Sequence, residues 1–255
     1  MSDKRAPDFF ILGGMKCGTT SLFNYLLQHS SVLPPRKKEL HYYDMDIYEG
    51  MSLDKYLRSF PDRDEGQLSG EGTPFYLTHP SCPGWIKRDF PGARFIIVMR
   101  DPVDRFWSHY HQYCKYRDYT GSPESLIEKE QDISDKIFQA ISKNPEAHEP
   151  VFDLKLYSLL ARGRYAEQIA RWLTCFEREQ FLFLFTSDLR DNRKLVIHRA
   201  LEFLGLEPED NLVLDTLHHT QQYEPMPDAL NAFLQNYYAP HNKALSVLIE
   251  ESLPW

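Results

Sequence analysis

Residues 13–21, near the N-terminus, combine several groups that bind phosphate-like anions. The segment reads Gly13-Gly14-Met15-Lys16-Cys17-Gly18-Thr19-Thr20-Ser21. Glycines allow the backbone to approach an anion closely, and the free N–H groups at the start of a helix point toward it. Lys16 adds a positive charge, and the three hydroxyl side chains that follow are further donors. These residue types in this order predict a loop that binds a phosphate or sulfate group.

The spacing within this loop differs from that of ATP-dependent enzymes. Their pattern, GxxxxGK[ST], places a lysine directly after the second glycine. Gly13 and Gly18 have the required separation, but Thr19 occupies the lysine position and Lys16 lies inside the loop. The apolar run before Arg100 also ends without the aspartate that would hold Mg²⁺ in such enzymes. We therefore expect the anion to be bound without a metal.

A second pair of anion-binding side chains follows that later apolar run. Arg100 comes directly after it, and Ser108 lies eight residues further on, within a helical pattern. Arginine can bind two phosphate oxygens at once, and serine can donate another hydrogen bond. Because the carboxyl ends of parallel strands meet at one edge of a sheet, both clusters can face one ligand. The sequence thus predicts a ligand with two separate anionic groups.

Apolar runs with turn signals predict the strands that precede these loops. They cover residues 9–12, 94–99 and 181–185. Helical patterns follow them over residues 19–29, 103–116 and 194–204. Strands that alternate with helices predict an α/β fold in which a central parallel sheet is flanked by helices.

Two other segments have helical patterns. Leu156 to Phe176 predicts one long amphipathic helix. Ser122 to Glu149 is rich in carboxylates, which predicts a solvated helical insertion that is either a lid over the site or a plain surface helix. We expect a single domain over residues 1–255 with a helical insertion or lid at about 115–150.

Composition limits the partners and the compartment. The chain has 29 Lys and Arg against 37 Asp and Glu, a net charge of −8. Nucleic-acid-binding proteins usually have a basic excess, so we expect no nucleic acid partner and a local anion site. The four cysteines form no CxxC pair, which favours reduced thiols and a cytoplasmic protein. We see no apolar stretch of about 18 residues, so we expect no membrane span.

In these motifs the chain resembles the sulfotransferases that use PAPS (3′-phosphoadenosine-5′-phosphosulfate). Residues 16–21 resemble that family's 5′-phosphosulfate loop, and Arg100 with Ser108 resembles its 3′-phosphate motif. Other segments are similar to the heparan sulfate sulfotransferase-like branch and to bacterial enzymes that sulfate metabolites and polyketides. These are residues 38–43, 71–76, 163–165, 172–173, 240–242 and 253–255. The resemblance implies a P-loop-like three-layer fold and transfer of a sulfuryl group from PAPS, with release of PAP and no metal.

The resemblance also suggests catalytic roles. Lys16 would stabilise the negative charge that develops on the leaving oxygen. The acceptor must lose a proton, and Glu39 matches the glutamate that serves as base in the heparan-type branch. His41, which would share a strand face with Glu39, and His79 are the alternative bases. A second lysine faces the site in that branch, but its position here is Gly72, so we expect charge stabilisation from Lys16 and backbone donors alone.

The acceptor is the least defined part of the prediction. Tyr42, Phe75 and Tyr76 are aromatic candidates for contact with it. The net negative charge of the chain favours a small molecule over a highly sulfated polymer as acceptor. We expect the reacting group of that molecule to be a hydroxyl or, less readily, an amine. The segment 218–223, which the resemblance places over the 3′-phosphate, contains no Lys or Arg. Two other functions stay open: an ATP- or GTP-dependent kinase, and a nucleotide-binding protein without catalysis.

Overall fold

A parallel sheet of five strands lies at the centre of the protein. In this computed structural model, residues 4–145, 148–209, 212–214 and 223–255 are described. The strands are β1 (Phe9–Ile11), β2 (Val32–Leu33), β3 (Leu68–Glu71), β4 (Arg94–Met99) and β5 (Phe181–Phe185). Their order across the sheet is β2-β3-β1-β4-β5, and every neighbouring pair is parallel. The predicted α/β fold with a central parallel sheet is confirmed.

Helices flank this sheet. They are α1 (Thr19–Leu26), α2 (Leu53–Leu57), α3 (Phe75–Thr78), α4 (Cys82–Asp89), α5 (Pro102–Arg117), α6 (Pro123–Lys143), α7 (His148–Leu156), α8 (Tyr165–Leu173), α9 (Thr186–Asp191), α10 (Arg193–Leu204) and α11 (Asp228–Ile249). A π-helical turn covers Tyr42–Asp46, and 3-10 turns cover Ala161–Gly163 and Arg178–Gln180. Gly205 ends α10 with a positive φ of 81°, a backbone conformation that favours glycine at the end of a helix.

The main core packs around β4. The ring of Phe95 lies 5.1 Å from that of Trp172, 4.5 Å from Phe176 and 5.1 Å from Phe181, measured between centroids. A strand covered on both faces is apolar along its whole length, which is why the pattern of β4 could be read from the sequence. β3 could not be predicted from the sequence, because its residues, Leu-Ser-Gly-Glu, do not form an apolar run. Its buried Glu71 is satisfied by hydroxyl groups of Tyr56, at 2.7 Å, and Thr73, at 2.7 Å.

The prediction of one helix from Leu156 to Phe176 is wrong. α7 ends at Leu156, a 3-10 turn follows at Ala161–Gly163, and α8 begins at Tyr165. The carboxylate of Glu130 causes the break: it accepts hydrogen bonds from the backbone N–H groups of Leu160, at 2.8 Å, and Ala161, at 2.7 Å. The periodicity of the sequence does not reveal this contact because Glu130 lies about thirty residues away.

Glu130 belongs to α6, within the predicted insertion. α6 is an amphipathic helix with one apolar face buried, which includes Leu126, Ile127, Ile137 and Ile141. Glu130 is only 2% exposed on that face. The segment is therefore packed more firmly than a solvated insertion would be.

We expect Glu130→Gln to lower the free energy of unfolding by about 2 kcal/mol, because an amide oxygen cannot replace two charge-assisted bonds. Chemical denaturation would measure the change. The control is Glu128→Gln on the exposed side of the same helix, where a change within about 0.5 kcal/mol is expected. Equal effects of the two substitutions would contradict this role of Glu130.

Candidate active site

The loops that follow β1, β4 and β5 open into one cleft with a volume of about 1100 Å³. Among the described residues, eight lysine and arginine side chains line it: Lys16, Arg100, Lys115, Arg117, Lys155, Arg162, Arg190 and Arg193. The carboxylates that line it are Glu39, Asp101 and Asp104. The cleft is thus positively charged although the whole chain carries a net charge of −8. Anions are attracted by this local field.

The loop between β1 and α1 has the geometry of an anion cradle. Two of its residues have positive φ angles: Gly18 at 89° and Lys16 at 73°. A Cβ atom at Gly13 would lie 2.8 Å from the backbone nitrogen of Val98, so only glycine allows the loop this close to β4. Within the described residues, the N–H groups of Lys16 and residues 18–21 have no acceptor. They are available to an oxyanion at the start of α1.

Lys16 and Arg100 place their charges close together in the cleft. Burial lowers the pKa of Lys16, and the nearby positive charge of Arg100 lowers it further. The Arg100 guanidinium forms an ion pair with Asp104, 3.2 Å away. Ser108, buried in α5, lines the same cleft, and its hydroxyl has no partner in the described part of the chain. The structure thus brings the residues of both predicted anion sites together.

Two side chains tie the two anion-binding loops to each other. The Thr186 hydroxyl, directly after β5, donates to the carbonyl oxygens of Cys17, at 2.8 Å, and Met99, at 3.1 Å. The Tyr165 hydroxyl donates to the carbonyl oxygen of Arg100 at 3.0 Å and lies 3.4 Å from the Cys17 thiol. Cys17 therefore has a structural role: its thiol is buried, and its N–H donates to Gly14. The sequence-based prediction that Cys17 contacts the ligand is not supported.

Glu39 and His41 lie side by side at the cleft, but on an irregular segment and not on the strand that the sequence suggested. The Nε2 atom of His41 lies 3.4 Å from a carboxylate oxygen of Glu39. Its Nδ1 atom lies 3.1 Å from a carboxylate oxygen of Asp44, and Lys155 pairs with Asp44 at 2.8 Å. The imidazole therefore lies between two carboxylates.

The contacts of His41 and Glu39 with their neighbours determine the charges of both side chains. Burial disfavours the imidazolium, yet hydrogen bonds to Asp44 and Glu39 outweigh it and raise the pKa of His41 to about 9. Burial also opposes the charge of Glu39, but hydrogen bonding to His41 and attraction to Lys38 hold the pKa of that carboxyl below its usual value. At neutral pH, His41 is positive and Glu39 is negative.

The residues that surround Glu39 and His41 were only partly predictable from the sequence. Glu71 accepts a hydrogen bond from the backbone N–H of Leu40 at 3.1 Å and so fixes the segment that carries Glu39. Asp44, three residues after His41, could have been suspected from its spacing. Lys155 could not, because only the folding of α7 against the cleft brings it near.

Three candidate residues lie away from the cleft. His79 is fully buried; its Nδ1 accepts from the N–H of Ser81, and its Nε2 contacts the Tyr48 hydroxyl at 2.9 Å. Burial lowers the pKa of His79 to about 3. Tyr42 and Tyr76 are buried in the core. Of the aromatic candidates for acceptor contact, only Phe75 lines the cleft.

The described part of the chain also bears on metal binding, membrane-spanning helices and cysteine pairing. Within the described ranges, no group of three or more His, Cys, Asp or Glu side chains could hold a metal ion, and no helix of those ranges is long and apolar enough to cross a membrane. All four cysteines are unpaired thiols.

Residues 218–222 of the segment expected over the 3′-phosphate lie outside the described residues; Tyr223 lines the cleft. In the described chain α6 contributes no lining residue, whereas residues 115–117, at the start of the predicted segment, line the cleft; the lid role stays a prediction.

The chain is similar to known proteins over most of its length. Residues 6–231 match the family described as "Sulfotransferase domain". A sulfotransferase structure from Alicyclobacillus acidocaldarius is 28% identical and has a TM-score of 0.75, covering 97% of both chains. The membrane-associated sulfotransferase kil1 of Dictyostelium discoideum is 23% identical over 98% of this chain. The human bifunctional heparan sulfate N-deacetylase/N-sulfotransferase 3 is 26% identical over 97% of this chain.

Kil1 and the human enzyme are longer proteins: the chain spans 66% of the length of kil1 and 30% of the human enzyme. The family match nevertheless covers most of the chain, and it includes both anion-binding loops and the Glu39 segment. The protein belongs to the sulfotransferase family and is an enzyme.

Proposed function

We propose that the protein transfers a sulfuryl group from PAPS to a hydroxyl group, or less readily an amine, of a small molecule and releases PAP. The observation that carries this proposal is the pair of anion-binding clusters at the ends of adjacent strands, which share a cleft with an ionised carboxylate. A donor with phosphates on both its 3′ and 5′ sides needs two such clusters, whereas ATP needs one.

Each cluster has a role in donor binding. PAPS supplies a sulfuryl group whose bond to the 5′-phosphate oxygen breaks during transfer. The free N–H groups of residues 18–21 and the ammonium of Lys16 bind the 5′ end, where negative charge develops. Arg100 and Ser108 bind the 3′-phosphate. Because transfer needs mainly positioning and charge stabilisation, a rigid pair of loops suits it.

Glu39 is the better proton acceptor of the two neighbours at the cleft. His41 is already protonated at neutral pH and cannot take up a second proton. Glu39 is ionised and its carboxylate lines the cleft. In the proposed step the acceptor oxygen forms a bond to sulfur, its proton passes to Glu39, and the electron pair of the broken bond leaves with PAP.

The cleft has aromatic surfaces for an acceptor. Phe75, Tyr113 and Tyr116 line it, and flat apolar rings favour contact with ring systems of small molecules. The names of some relatives include heparan sulfate and carbohydrate, so sugars belong in any acceptor screen. The cytoplasmic localisation stays a prediction from the sequence.

The decisive test has two parts. Calorimetry should show that PAP binds and that ATP with Mg²⁺ binds far more weakly. Mass spectrometry of reactions with PAPS and an array of phenols, sugars, alkaloids and amines should detect a product that is heavier by one sulfuryl group. Tight binding of ATP–Mg²⁺ without binding of PAP, or phosphorylated products from ATP, would favour a kinase.

Lys16 and Arg100 should differ in what they contribute. We expect Lys16→Ala to lower kcat by about 10²–10³-fold with a small loss of PAP affinity, because it removes charge stabilisation at the leaving oxygen. We expect Arg100→Ala to weaken PAP binding by about 10–100-fold, as the loss of charge-assisted bonds would. Kinetics and calorimetry measure both, with exposed Arg58→Ala as the control. Full activity of both variants at saturating PAPS would rule out this assignment.

The choice of proton acceptor can be tested with matched variants. We expect Glu39→Gln to lower kcat by about 10²–10⁴-fold, the usual contribution of a general base. His41→Gln should cost about tenfold, because it only removes an orienting contact. PAP affinity, measured by calorimetry, should change little in either variant. The reverse order of the two losses would identify His41 as the base.

The charge of His41 can be measured directly. In an NMR titration, we expect its imidazole to stay protonated up to about pH 9. Asp44→Asn should bring the pKa back toward 6.5, whereas Asp54→Asn, on the surface, should not. Because the folded-state pKa is raised, the stability added by this pairing is complete below pH 6.5 and is lost as the pH rises through 9. Titration of His41 near 6.5 in the unmodified protein would contradict the assignment.

A further inference from the structure

Lys38 connects the proton acceptor to the donor-binding loop. Its ammonium lies 2.8 Å from the Oε1 atom of Glu39 and 3.4 Å from the Oγ1 atom of Thr19, the first residue of α1. Its side chain is mostly buried, with 15% exposed. Thr19 and Glu39 both line the cleft, whereas Lys38 is not one of its lining residues in the described chain. One cation therefore joins a group on the acceptor side to a group on the donor side.

The absence of a side chain at Gly72 leaves the space that Lys38 uses. The backbone N–H of Gly72 donates to the carbonyl oxygen of Lys38 at 3.0 Å, so the two residues lie side by side. A Cβ atom at Gly72 would be 3.3 Å from the Cε atom of Lys38, closer than ordinary van der Waals contact. Lys38 therefore lies against the position at which the heparan-type branch has its second lysine.

Both oxygens of the Glu39 carboxylate are held. Lys38 binds Oε1, and His41 lies 3.4 Å from Oε2. A glutamate side chain that is 39% exposed would otherwise sample several rotamers. With both oxygens bound, the remaining lone pairs keep one orientation. A displacement of about 1 Å between reacting groups can cost about 10²-fold in rate.

From this geometry we infer that Lys38 is a positioning residue that holds Glu39 at a fixed place relative to the donor-binding loop. The inference rests on the proposed function and adds a residue to it. Lys38 acts through Glu39 and Thr19, without touching the acceptor. It ties proton removal from the acceptor to the position of the loop that binds the donor.

The test compares Lys38→Met with Lys38→Arg, using PAP release from PAPS with water or with an acceptor found in the screen. We expect Lys38→Met to lower kcat by about 10²-fold while the Kd for PAP, measured by calorimetry, stays within about threefold. The acidic limb of its pH–rate profile should move to higher pH, because the carboxylate loses a positive neighbour. Lys38→Arg keeps the charge and the donors and should restore most of the rate.

A second variant tests the same contact without altering the lysine. Gly72→Val places a side chain in the path of Lys38 and should reproduce the loss of kcat. Gly92→Val is its control, because a Cβ there meets nothing within 4 Å. Lys37→Met, at the exposed neighbouring lysine, is the control for Lys38→Met.

The outcomes separate this inference from the proposed function. A kcat for Lys38→Met within threefold of the unmodified enzyme, an unmoved pH profile, or a parallel loss of PAP affinity would overturn the role of Lys38. An unmodified enzyme that fails to bind PAP, or that releases none from PAPS, would count against the proposed function.

Discussion

β1 and β4 lie side by side in the sheet, so the two anion-binding loops that follow them leave from neighbouring points on one edge. Backbone pairing fixes the separation of these points, and the hydroxyl groups of Thr186 and Tyr165 then link the loops to each other. The proposed ligand, with two anionic groups, would meet a site whose spacing is set before binding. Little conformational entropy must then be lost when it binds.

The positive charge of the site is confined to the cleft. Basic side chains concentrate in the cleft although acidic ones are in excess over the whole chain. Arg162, for example, is 5% exposed and has no carboxylate within ion-pair distance in the described residues. Burial lowers its pKa to about 9, so it stays charged at neutral pH. Charges in such partly buried positions are screened less by salt than those on the surface, which strengthens their attraction for an anion.

The sequence was most informative where function depends on local chain geometry. The anion site was predictable from its glycines, Lys16 and three hydroxyl residues. These residues are consecutive or nearly so in the chain, in the loop before α1 and the first turn of that helix. Arg100 and Ser108 could be paired because Arg100 directly follows β4 and Ser108 lies in α5, which begins only two residues after Arg100. Apolar β4 was recognisable for a similar reason: after the exposed Arg94, all five of its remaining residues are buried.

Contacts between distant segments account for what the sequence did not predict. Lys155 reaches Asp44, and Glu130 interrupts a helical pattern about thirty residues away. Residue type also misled where a side chain is buried: His79 is chemically suited to act as a base, but it is enclosed by the core and neutral. Only the packing of the chain distinguishes such a residue from His41.

The left-handed backbone of Lys16 has a consequence for how this enzyme could be improved. A residue with a side chain at φ 73° is held in a sparsely populated conformation, at a cost of about 1–3 kcal/mol that the surrounding structure must offset. Glycine would adopt the same backbone shape with little strain, but it has no amine. In the proposed mechanism stability and activity are therefore opposed at Lys16, and engineering for heat resistance would need to leave it untouched and find its gains elsewhere in the fold.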